Sequence, residues 1–194
     1  MEVEQHRSPE NLTFSDYLPS AGLVGAIFSV ITFAIGLAIG YQQISSEPSG
    51  SLLSPTIMGG VIICLISCLA GALAVWHFTK EVTPFIKLGQ GAALGFMTGA
   101  VIVIFTALLN EVWNFIDPDY TEKLVEATIA NIEAMDLPSG QKEQMIDGMA
   151  ESVRSQQSFG AQILWGIPMY GILNLISAMI GVKIFAKKED QETF

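Results

Sequence analysis

Charge is scarce in this chain. Asp, Glu, Lys and Arg make up 14% of its 194 residues, where a soluble globular domain carries roughly 25%. Basic residues are scarcer still, nine against nineteen acids, for a net charge of −10. Nucleic acid is bound by setting Lys and Arg against phosphates, so this composition excludes it as a partner. Histidine is confined to His6 and His77, and cysteine to Cys64 and Cys68. No Ser–His pairing, no His-Glu-x-x-His and no paired intramembrane aspartates can be drawn from the sequence. The expectation is a protein that is not an enzyme, with no metal and no cofactor. Cys64 and Cys68 stand four apart in an apolar run, on one face of a helix. That is no disulfide framework, and the surroundings are too apolar for an activated thiolate. A basic N-terminal region is also missing: Glu2, Glu4, Glu10 and Asp16 face only Arg7, which argues against a cleaved signal peptide.

What fills the chain instead is apolar. Hydrophobic residues make up 51% and the mean hydropathy is +0.48. No charged residue occurs in 17–46, 48–79, 88–110 or 155–182. Each window exceeds the about 20 residues that a helix needs to cross a bilayer. Only a helix satisfies every backbone group within one such segment. The sequence therefore predicts an all-α, integral membrane four-helix bundle, a single membrane domain over 1–194, with spans near 20–41, 54–76, 88–112 and 161–184. Tyr17 and Tyr41 flank the first span, Trp76 and His77 end the second, Trp113 ends the third and Trp165 opens the fourth. Trp and Tyr prefer the headgroup level, which supports these limits.

Orientation follows from Lys and Arg. Arg7, Lys80, Lys87, Lys183, Lys187 and Lys188 fall on the side of the two termini. Lys123, Lys142 and Arg154 fall on the other, in one loop of about 46 residues. The side richer in bases is expected to be cytoplasmic, so both termini are expected in the cytoplasm.

Small residues recur inside the spans. Gly25, Ser29, Thr32, Gly36 and Gly40 lie on one face of the first, and Gly60, Cys64, Ser67, Gly71 and Ala74 on one face of the second. Gly91, Gly95 and Gly99 line the third, and Gly171, Asn174, Ala178 and Gly181 the fourth. Such seams let backbones approach closely, which drives helix association in lipid. They serve either the packing of one bundle, the favoured reading, or a homo-oligomer. Polar exceptions are few. Asn174 lies mid-span, where it either bonds a neighbouring helix or lines a substrate path. Asn110 and Glu111 lie at the end of the third span. Pro168 removes a helical hydrogen bond and should kink the fourth.

The only sizeable aqueous segment is 113–158, with nine acids against three bases. An acidic helical hairpin is predicted within 117–155, between spans 3 and 4. Asp117 is its expected N-cap, followed by Pro118 at the first helical position and Asp119. Tyr120, Leu124, Ile129 or Thr128, Ile132 and Met135 recur at helical spacing. Leu137-Pro138-Ser139-Gly140 then breaks the chain, with Ser139 as the next cap. Met145, Ile146, Met149 and Val153 stripe the second helix. These stripes must be buried on each other, on the membrane surface or on a protein partner. The acid spacing is not that of a calcium loop.

Two elements carry a resemblance: Phe85-Ile86-Lys87-Leu88-Gly89-Gln90-Gly91 entering the third span, and Phe115-Ile116-Asp117-Pro118-Asp119-Tyr120 leaving it. With the acidic, Met-containing insert, they resemble an uncharacterised family of small bacterial four-span membrane proteins, catalogued as a domain of unknown function. The similarity is best over 80–186. It implies a bacterial inner-membrane location and brings no catalytic residues. The function expected is that of a non-enzymatic interaction, assembly or accessory subunit, with the lipid bilayer and a protein at the hairpin as its partners. The alternative is a small transporter or channel that works as an oligomer, although the spans hold no ionisable group at mid-depth.

Overall fold

Four long helices cannot bury apolar surface on all sides against one another, and lipid takes the remainder. The computed structural model describes residues 12–51 and 55–187. Six helices follow in chain order: α1 Phe14–Ser45, α2 Pro55–Glu81, α3 Leu88–Ile116, α4 Tyr120–Glu133, α5 Ser139–Gln157 and α6 Phe159–Phe185. Among the described residues all regular structure is helical. α1, α2, α3 and α6 are each long and apolar enough to cross a membrane. A 27-residue helix rises about 40 Å, more than the hydrocarbon core of about 30 Å. Their outward faces are large and aliphatic: Leu23, Ile27 and Val30 on α1, Leu65 and Leu69 on α2, and Ile172, Ile176, Ile180 and Ile184 on α6 are all exposed. A surface of that kind belongs against lipid tails, and the chain is a multi-pass membrane protein.

The four spans pack in the ring order α1, α2, α6, α3, and α2 also meets α3 across the short diagonal. One end gathers the start of α1, the α2–α3 loop and the end of α6. There Tyr17 stacks on Phe78 with ring centres 5.4 Å apart, and Ser20 Oγ lies 3.0 Å from His77 Nδ1. The Lys187 backbone N–H donates to the Pro84 carbonyl at 2.9 Å. The other end gathers the α1–α2 loop and the α4–α5 hairpin. The described parts of the two termini therefore share one end, and the hairpin occupies the opposite one.

Several boundaries differ from those the sequence suggests. α1 begins at Phe14, ahead of Pro19, because the proline falls so near the helix start that few bonds are lost. The Thr13 N–H donates to the Asp16 carboxylate at 2.8 Å, which closes that first turn. α2 runs on through Trp76 to Glu81, and α3 continues a turn past Val112. Trp113 lies inside α3, where its ring meets Phe33 and Tyr41 of α1 at 6.1 and 6.3 Å. Asp117 does not cap the hairpin. It is the C-cap of α3, its N–H donating to the Trp113 carbonyl at 2.9 Å, and Asp119 is the N-cap of α4. Ser139 is the first residue of α5, with Pro138 before it as N-cap. Arg7, Lys188, the acids before residue 11, His6 and the expected start of the second span at Ser54 lie outside the described residues.

Candidate functional site

Close backbone approach organises the span interior. A Cβ on Gly71 of α2 or Gly95 of α3 would collide with the Asn174 carbonyl oxygen, and one on Gly99 with the Tyr170 carbonyl oxygen. Three glycines on two helices thus let α6 lie directly against α2 and α3. Gly91 receives the Val182 side chain, and Gly171 leaves room for the Phe96 ring, 2.6 Å from where its Cβ would stand. Gly36 is different, since its nearest neighbour, Ile63 Cδ1, would be 3.7 Å away, an ordinary contact. Gly60 is exposed with open space beside it, so it is no part of the internal seam.

The same closeness brings a backbone N–H within reach of a side chain on another helix. Asn174 is fully buried. Its Oδ1 accepts from the Gly71 N–H at 2.7 Å, and its Nδ2 donates to the Tyr170 carbonyl at 2.9 Å. Ser177 Oγ accepts from the Ala72 N–H at 3.0 Å. Polar side chains of α6 thereby stitch α2 to α6 in a medium where unpaired polar groups are costly. Nearer the hairpin, Asn110 Nδ2 donates to Gln162 Oε1 at 2.8 Å, joining α3 to α6, with half-buried Glu111 beside it.

The densest polar chemistry lies where the hairpin meets the bundle. Asp117-Pro118-Asp119 forms a tight turn, closed by the Tyr120 N–H on the Asp117 carbonyl at 3.1 Å. The turn aims the Asp117 carboxylate back at α1. Tyr41 Oη donates to it at 2.6 Å, and Lys123 Nζ, one turn into α4, donates to its other oxygen at 2.8 Å. Lys123 first, then Tyr41, hold the Asp117 carboxyl below the usual carboxylate range. The same bond raises Lys123. Tyr120 is buried against Gly40, where a Cβ would strike its hydroxyl, and its ring lies 5.2 Å from that of Tyr41. Burial raises the Tyr120 phenol.

Further along α4, Gln43 Nε2 donates to Thr128 Oγ1 at 3.0 Å. Asn131 Oδ1 takes the Ser49 and Gly50 N–H groups at 3.1 and 3.2 Å, and its Nδ2 donates to the Ser51 carbonyl at 3.1 Å. Gly50 has φ +64° and lies on the Ala134 backbone, which a side chain there would prevent. Buried Leu124, Val125, Thr128 and Ile132 complete the α4 face turned inward. α5 packs on α4 and then on α6, and Arg154 clasps Glu122 with two bonds of 3.1 Å. That pair holds the Glu122 carboxyl low. Of the residues that fasten the hairpin, Tyr120 was marked by helical spacing and Tyr41 as an aromatic flanking the first span, whereas the fastening roles of Gln43, Lys123 and Asn131 were not. Their partners lie 76 to 85 positions away in the chain, apart from the local Lys123–Asp117 pair.

No curated protein and no solved structure matches this chain. A family model does, over residues 20–183, well beyond the 80–186 stretch where the resemblance was plainest. By that match the chain belongs to the family described as "Protein of unknown function (DUF4199)".

Proposed function

We propose that this protein is a non-enzymatic assembly or accessory subunit of a bacterial inner membrane, with both termini cytoplasmic, and that the hairpin is its recognition surface. The supporting observation is the fastening of α4. Its inward face is bonded to α1 through Thr128 and to the α1–α2 loop through Asn131, and Asp117 in the turn before it is bonded to Tyr41 of α1, so the hairpin is held against the spans. α5 then lies outermost, with Ala150 buried and Met149 exposed among its apolar residues, and with Glu143, Asp147 and Glu151 turned to solvent. A preorganised acidic face with methionines suits a partner of basic surface, since little ordering entropy is lost on docking.

The test is affinity capture with the full chain against a Glu143→Lys/Asp147→Lys/Glu151→Lys variant. Those side chains are exposed, so the variant folds. A partner recovered in stoichiometric amount by the native chain and lost by the variant supports the reading, and equal recovery by both sinks it. The alternative, a small channel or transporter, would have used Asn174 as its intramembrane polar group. Both ends of that amide are engaged by backbone, and this favours the structural reading. Ion or solute flux in proteoliposomes that Asn174→Leu abolished, in a folded protein, would restore the alternative.

A further inference from the structure

The outward face of α3 does not turn polar where the span was expected to end. Ile104, Leu108, Val112 and Ile116 follow at intervals of four and all are exposed, so they share one face. Phe115 beside them is 86% exposed, more than any other large apolar side chain among the described residues. Polarity arrives only afterwards, with Asp117-Pro118-Asp119. The 29 residues of α3 rise about 43 Å, which matches a bilayer with its headgroups, about 40–45 Å, and not its hydrocarbon core alone. Lys87 and Asp117 thus stand at the outer limits of the two headgroup regions, and half-buried Glu111 lies at a depth where a carboxylate is still solvated. α6 adds to the same rim. Gln162 is bonded to Asn110, so exposed Phe159, one turn earlier in α6, comes level with the last turn of α3. The hairpin leaves this rim sideways. The Tyr120 hydroxyl meets Gly40, and Thr128 is bonded to Gln43. Between those two contacts α4 rises about 12 Å and α1 only about 4.5 Å. α4 therefore crosses the end of α1 steeply and does not lengthen the bundle, and α5 packs back along it to α6.

We propose that the rim formed by Phe115, Ile116 and Phe159 is inserted in the headgroup region of the bilayer, and that α4 and α5 lie along that leaflet instead of projecting from it. The rim continues, without a break, the aliphatic face of α3 that lipid tails cover. Two bare aromatic rings and an isoleucine form an apolar patch that water does not favour. Three side chains also fall far short of the roughly 20 residues a side that a stable protein interface uses, which favours lipid over a second copy as the occupant. Tyr41, with an exposed ring and its hydroxyl on Asp117, anchors the α1 side of the same level, since phenols prefer the headgroups. This placement holds whether or not the hairpin recruits a protein.

The full chain carrying Cys64→Ala/Cys68→Ala is reconstituted in liposomes of phosphatidylcholine and phosphatidylglycerol, with a nitroxide attached in turn at Phe115→Cys, Phe159→Cys, Leu108→Cys and Glu143→Cys. Collisions with oxygen, which partitions into lipid, are compared with collisions with a water-soluble nickel chelate. All four side chains are exposed, so labelling leaves the packing intact. The ratio at Phe115→Cys and Phe159→Cys should favour oxygen, less than at Leu108→Cys and clearly more than at Glu143→Cys. A ratio at either position no different from that at Glu143→Cys would overturn the insertion. So would exclusion of both reagents with dipolar broadening between labels, which would give the rim to a second copy. The native chain supplies an independent readout that needs no substitution. A phosphatidylcholine bearing a nitroxide on its headgroup should cause loss of the amide signals of Phe115, Ile116 and Phe159 and along the whole of α5. Intact signals at Phe115 and Ile116 would overturn the insertion, and a loss that fades from Gln157 toward Ser139 would refute the flat placement.

Discussion

At the scale of single residues, glycine is used for different purposes at positions that look alike. Gly36 and Gly95 both sit in seams of small residues at helical spacing. A methyl on Gly95 would stand 2.5 Å from Ala178 Cβ and press on the Asn174 carbonyl, and neither neighbour is a flexible chain end. Gly95→Ala should cost about 2 kcal/mol, in the range of core overpacking. Gly36→Ala should change stability by no more than about 0.5 kcal/mol. Equilibrium unfolding in mixed micelles checks the pair, and equal effects would refute this account of the α3–α6 contact. Asn174→Leu keeps the branched shape, with a bulkier side chain, and removes the bond to the Gly71 N–H. It should cost about 1 kcal/mol, because hydrogen bonds between membrane helices are individually modest. A loss several times larger in the same assay would mean that Asn174 does more than join α2 to α6.

At the scale of elements, the hairpin is secured chiefly through Asp117. The carboxyl is held low in the folded chain by Lys123 and Tyr41, so its contribution is complete above the ordinary carboxyl pKa and is lost as pH falls through the lowered value. Glu122 behaves in the same sense, but its bond to Arg154 is solvent-exposed and contributes little. Protection of the α4 amides, taken relative to their intrinsic exchange rates, should therefore be high near neutrality and fall below about pH 4. Asp117→Asn should exchange faster at neutral pH and lose most of that acid dependence. An unchanged pH profile in the variant would remove Asp117 from this role. Much of the element plan was legible in the sequence, because charge-free windows and aromatic anchors report the solvent of each segment directly. The seams were legible for a similar reason: Gly91, Gly95 and Gly99 at intervals of four share a face, and that face meets α6. The part played by Asp117 was not legible. Asp-Pro before an amphipathic run reads locally as a helix start, and only the arrival of Tyr41 from α1 turns the carboxylate the other way. Gln43 and Asn131 carry no local signal either, since a lone amide near a helix end reads as solvated surface until a distant loop lies on it.

At the scale of the whole molecule, the fold fixes which segments share an end, and charge must fix which end faces the cytoplasm. The hairpin loop contributes three bases, Lys123, Lys142 and Arg154, and its many acids weigh little in orientation. The α1–α2 loop contains no Lys or Arg, whereas the turn between α2 and α3 is bracketed by Lys80 and Lys87. These two lysines should therefore carry much of the orienting bias. In a Cys64→Ala/Cys68→Ala background, a cysteine replacing exposed Glu143 should react with an impermeant maleimide added to intact spheroplasts, and one replacing exposed Glu81 should react only after lysis. Lys80→Gln/Lys87→Gln should then produce a mixed population in which each position is partly reactive from outside. Labelling of Glu81→Cys alone in intact spheroplasts would invert the topology. An unmixed pattern after the double substitution would instead shift the orienting role to Lys183 and Lys187 at the end of α6, where the Lys187 N–H already joins the same loop at Pro84.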